Sequence, residues 1–202
     1  MVNEAVNIKD NHRGLKKTIK ILIIVFAILI VLVIAFAAGY LLKKPKMVEI
    51  VIENPLNAIV AENTNHEGLV NVLAVIEQGV IEFDENYINY LLAALGTGYL
   101  HKSFIGGNPI LELVLGDEVW NSEIINGMPD ARLGAIDNED LRITISKEEA
   151  VKAILSSDIT QFMRNSAIAG NIQMEMIAGN TELFAKGYLD MYNALNGEEI
   201  IA

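Results

Sequence analysis

Cysteine is missing from all 202 residues, which excludes disulfides and thiol chemistry and leaves the redox compartment open. Histidine is nearly as scarce, with only His12, His66 and His101. His66 stands beside Glu67, and neighbours on a helix point apart. His101-Lys102-Ser103 does not have the arrangement of a triad, and no G-x-S-x-G nucleophile elbow occurs. Gly96-Thr97-Gly98 lacks the lysine and the wider spacing of a phosphate loop. Asp137-Asn138-Glu139-Asp140 lacks the glycine and spacing of a calcium loop, so it reads as a solvated hairpin turn. The chain is therefore expected to be no enzyme and to carry neither cofactor nor metal.

Basic residues run short in one part of the chain. Seven of the 15 lysines and arginines follow Lys46, against 24 of the 26 acidic residues, a balance of −17. Such a surface repels phosphate backbones and anionic headgroups, which excludes nucleic acid as a partner. Nothing in the pattern names a protein partner.

Long apolar runs are absent too, with one exception. Ile21 to Leu42 (ILIIVFAILIVLVIAFAAGYLL) holds no charge and would make a helix of roughly 33 Å, matching a hydrocarbon core about 30 Å thick. In lipid, such a run has to close its own backbone hydrogen bonds as a helix. Ala35-Phe36-Ala37 has the form of a signal-peptide cleavage site, but the apolar region before it exceeds the usual ~7–15 residues, which favours a retained anchor. The expected organisation is a basic tail at 1–20, a transmembrane helix at 21–42, a linker at 43–54 and one domain at 55–202. Five basic residues precede the run and three follow it, which puts the tail in the cytoplasm and the acidic domain outside, in a single-pass cell-membrane protein.

Past the linker, Met47–Ile52 alternates like a short strand before Asn54-Pro55 breaks it. Leu69, Val72, Leu73 and Ile76 share one face of a helix. Asp84 caps a second helix with a buried stripe of Tyr87, Ile88, Leu91, Leu92 and Leu95, and Gly96 ends it. Strands follow at Ile110–Leu115 and Val119–Ile125, then, after the Asn126-Gly127 turn, at Arg132–Ile136 and Leu141–Ile145. Ser146 and Glu149 form a capping box for the next helix, and 159–168 reads as a helix or a short turn and helix. A last strand at 171–177 precedes a final helix capped by Asn180, with Leu183, Phe184, Tyr188, Met191 and Leu195 along one side.

This order is that of an α+β fold. From about 110 to 195 the chain resembles the sterol carrier protein 2-like (SCP2-like) lipid-binding domain. The segments that carry the resemblance are ILELVLGDEVWNSEIING, LRITISKEEAVKAIL and AGNIQMEMIAGNTELFAKGYLDMYNAL. The resemblance implies a mixed, roughly five-stranded sheet covered by helices, with an apolar tunnel between the two layers for a sterol, an acyl chain or another lipid. Phe162, Met163, Ile172, Met174, Met176, Phe184, Tyr188, Met191 and Leu195 would line it, methionine supplying an adaptable apolar wall. Methionines at these spacings also suit ordinary core, so the second reading is a non-enzymatic scaffold whose core is filled by its own side chains.

Overall fold

Alternating apolar residues between 110 and 145 build the strands, and two turn signals decide where the chain doubles back. In the computed structural model, which describes residues 47–104 and 106–196, five strands form one mixed sheet. They are β1 (Ile110–Leu115), β2 (Glu118–Ile125), β3 (Met128–Leu133), β4 (Leu141–Thr144) and β5 (Gln173–Met176), in the spatial order β3-β2-β1-β4-β5. β1 and β4 run parallel and every other neighbouring pair is antiparallel. The third strand starts earlier than the expected Arg132. Asn126 (φ 54°) and Gly127 (φ 85°) both take left-handed backbone, as a two-residue hairpin needs, so β3 begins at once at Met128.

Among the described residues seven α-helices accompany the sheet: α1 (Asn57–Glu62), α2 (Val72–Ile81), α3 (Glu85–Ala94), α4 (Lys147–Leu155), α5 (Ile159–Ile168), α6 (Asn180–Ala185) and α7 (Tyr188–Asn196). Short polar side chains start several of them. Asp84 accepts from the Asn86 amide, Asp158 from Gln161, and Ser146 from Glu149 at 3.1 Å. Glu149 does not complete its capping box. Its carboxylate takes the Ser166 hydroxyl and the Asn171 amide instead, tying α4 to the segment that enters β5. The α3 stripe is buried as expected from Tyr87 to Leu95.

Three expectations fail for tertiary reasons. Met47–Ile52 joins no strand; its Val48 N–H donates to the Gly98 carbonyl. On α2 the buried residues are Val75 and Gly79, while Leu69, Val72 and Leu73 are exposed. A Cβ at Gly79 would stand 3.0 Å from both Leu56 and Val151, so this side is where α1 and α4 close in. The closing helix is two helices. Gly187 (φ 88°) separates them, and a Cβ there would meet the Tyr99 carbonyl oxygen at 2.4 Å. α6 starts from Gly179 rather than from an Asn180 side-chain cap.

Among the described residues no helix is long and apolar enough to cross a membrane. The tail at 1–20 and the run at 21–42 lie outside the described residues.

Candidate functional site

Strand register sorts the sheet's side chains into two faces. Leu111 and Leu113 of β1 share a face with Ser122 of β2, Ala131 of β3, and Leu141 and Ile143 of β4, and all of them are buried. The opposite face is polar. There Arg142 reaches Glu112 at 2.7 Å, Glu175 at 3.8 Å and Glu139. Met174 lies opposite Ile143 and Met176 opposite Leu141, so both methionines belong to the apolar face. Yet Met174 is 44% exposed and Met176 63%, against 1% for Ile143 and 6% for Leu141. The covering layer stops short of β5, and the core is open along that edge.

The nine residues expected to line a tunnel divide accordingly. Met163, Ile172, Tyr188 and Met191 are buried in the core, and Phe162 and Leu195 are half-buried against it. Met174, Met176 and Phe184 are at the surface. The structure does not bring all nine around one space. Phe184 sits on α6 and is 69% exposed, whereas Tyr188 and Met191 are on α7 beyond the Gly187 break, so the three do not form one helical stripe. A separate groove of about 270 Å³ runs between Ile50–Ile52 and Tyr90, Ala93 and Ala94 of α3. None of the nine residues borders it.

Behind β5 lies a buried polar cluster that the sequence reading missed. Asp140 and Lys186 are each 1% exposed. Lys186 Nζ donates to Asp140 Oδ1 at 2.6 Å and to Glu182 Oε1 at 2.8 Å. Asp140 Oδ2 accepts from the Ile110 amide at 2.7 Å and from the Tyr188 hydroxyl at 3.1 Å. The Asp140 backbone joins in as well, its N–H going to the Ile110 carbonyl and its carbonyl accepting from Ile177 and Ala178. One residue thus ties β1, the start of β4, the end of β5 and the α6–α7 junction together. Glu139 is buried against Arg142, so 137–140 is not the solvated turn expected of it; only Asp137 and Asn138 are exposed. The available signal was the i, i+4 spacing of Glu182 and Lys186, which suggests an ion pair but not its burial.

The chemistry of this cluster is that of a lock rather than of a reacting centre. Both Asp140 oxygens are occupied, and the Lys186 ammonium sits between two carboxylates. Burial first, and the Asp140 charge second, hold the Tyr188 phenol far above its ordinary range, so it stays neutral and donates. Among the described residues no group of three or more acidic, histidine or cysteine side chains is placed to hold a metal.

No family model matches the chain, and no curated protein does. Among solved structures it is similar to the UbiJ-SCP2 ubiquinone synthesis protein, at 8% identity over 62% of this chain and 94% of that one, with a TM-score of 0.32. It is also similar to palmitated SCP2L2 from Aedes aegypti, at 12% identity over 55% and 93%, with a TM-score of 0.31. A double mutant of the sec-alkyl sulfatase PisA1 shows 13% identity over 59% of this chain, with a TM-score of 0.34; there the match spans 16% of the sulfatase. At these identities and TM-scores the similarities assign neither a family nor an activity.

Proposed function

We propose that this chain is a single-pass membrane protein whose domain holds an apolar ligand, an acyl chain or a sterol, against the open core face of β5. One observation carries the proposal: Met174 and Met176 continue the buried face of Ile143 and Leu141 but are left uncovered at the edge. Covering an exposed methionine with an apolar surface is worth about 1–2 kcal/mol for the half of the side chain still in water. Methionine, unbranched and polarisable, also adapts to ligands of different outline. The length and apolarity of 21–42 support the anchor, and the basic excess before it supports a cytoplasmic tail with the acidic domain outside. Drawn from a bilayer, an acyl chain gains little by moving to another apolar surface, so selectivity rests on the shape of the edge.

The test uses the full chain in lipid vesicles containing a fatty acid with a photoactivatable diazirine. Irradiation is expected to label the peptide that holds Met174 and Met176, and M174D/M176D is expected to abolish that label. Labelling confined to 21–42 would overturn the ligand reading. The scaffold reading has an observation of its own, the complete burial of Met163, Ile172, Tyr188 and Met191. It predicts that no lipid is captured on β5. Protease added to intact cells is expected to remove the acidic domain; digestion only after lysis would reverse the orientation.

A further inference from the structure

The entry of the chain into the domain is pinned rather than free. Val48 donates its N–H to the Gly98 carbonyl at 3.0 Å. A Cβ on Gly98 would fall 2.3 Å from the Val48 carbonyl oxygen, and one on Gly127 would fall 3.2 Å from both Val48 Cβ and Gly98 Cα. Two residues without side chains therefore let the entering segment lie directly against the tip of the β2–β3 hairpin. That tip is apolar. Ile125 and Met128 form the last pair of the ladder and are 44% and 43% exposed, beside Met47 at 53% and Val48 at 42%.

We infer that this patch, Met47, Val48, Ile125 and Met128, rests on the lipid bilayer and sets the orientation of the domain. The inference builds on the anchor reading proposed above. Only Lys43–Lys46 separate Leu42 from Met47, and four residues reach at most about 14 Å. The polar headgroup layer takes up roughly 5–8 Å of that. A docked Val48 thus replaces a tether of twelve residues with one of four, and the patch cannot stand far from the interface. Lys43, Lys44 and Lys46 have the long basic stems that suit headgroup level. Glu123 and Asp130 make up the next-but-one pair of the hairpin, on the same face, with Asp130 paired to Arg132 at 2.6 Å; together with the domain's balance of −17 this favours a neutral lipid surface over an anionic one.

Because the chain has no cysteine, one introduced cysteine gives one label. M128C on the patch and I81C at the end of α2, which is 83% exposed, would each carry a polarity-sensitive fluorophore. Both full-length proteins would be reconstituted in phosphatidylcholine vesicles containing lipid spin-labelled high on the acyl chain. Flotation with the vesicles after an alkaline wash reports the anchor, and quenching reports docking. The expected result is flotation of both, strong loss of fluorescence at residue 128 and little at 81. Adding I125D should abolish the loss at 128 without affecting flotation. Flotation with equal quenching at both sites, or with greater quenching at 81, would overturn the docking and leave the anchor standing. Failure to float would overturn both.

Discussion

The two edges of the sheet are finished in opposite ways. At β3, Pro129 has no N–H to present, and the outward Ala131 N–H is taken by the Asn89 side chain of α3 at 3.0 Å. α3 packs along this strand and the edge is closed. At β5 no helix among the described residues does the same work: all four residues are exposed, and the methionines of the apolar face stand in water. An unprotected strand edge is a liability that proteins commonly cover. Here the β3 edge is covered and the β5 edge is left open. The difference teaches where a ligand is to be sought, because the closed edge is complete without one.

The largest expected effect comes from removing what holds the open edge in place. D140A leaves Lys186 buried with only Glu182 and frees the Ile110 amide, so it should destabilise the domain by about 3–5 kcal/mol in denaturant titration. D140L/K186M, which removes both charges, should cost much less. If the double variant is as damaged as the single one, the hydrogen bonds of Asp140, not the unpaired charge, are what matter. At the closed edge, N89L should cost about 1–3 kcal/mol by orphaning the Ala131 N–H. A smaller loss there would mean that α3 covers β3 by packing alone.

A pH titration tests the buried phenol. Its pKa in the folded state is raised above the ordinary value of 10, so folding holds its proton more tightly. That contribution is intact below pH 10 and is lost as pH rises further. Tyr87, pushed up to about 12 by burial and by Glu82 and Asp84, acts in the same direction. Y188F should therefore flatten part of the alkaline loss of stability, and an unchanged alkaline slope would leave Tyr87 as its source. The smallest effect on stability is expected at the open edge. M174D should shift the unfolding midpoint by less than about 1 kcal/mol, because the side chain is already half in water, while removing lipid capture. A large loss of stability would show that β5 is covered in solution after all.

Local pattern carried much of the architecture. The strands at β1, β2 and β4 and the helices α3, α4 and α5 follow from period-2 and period-3.6 repeats and from the caps at Asp84 and Ser146, which depend only on residues a turn or a strand apart. The same logic placed Met174 and Met176 on one face, and the register bears it out. It expected helices to cover that face as a tunnel wall, and both methionines are instead exposed, since coverage depends on helices distant in the chain. It grouped Leu69, Val72, Leu73 and Ile76 on one face, but Leu69 precedes α2, Val72 and Leu73 face solvent and Ile76 packs against the core, with Gly79 admitting Leu56 and Val151 beside Val75. It ran α6 and α7 together because only the Tyr99 carbonyl, far away in sequence, explains why position 187 has no room for a side chain. The Asp140–Lys186 pair spans 46 positions and has no periodicity to betray it. Repeats report the neighbours a residue has along its own element; burial, closure and charge pairing arise between elements, and those the fold alone decides.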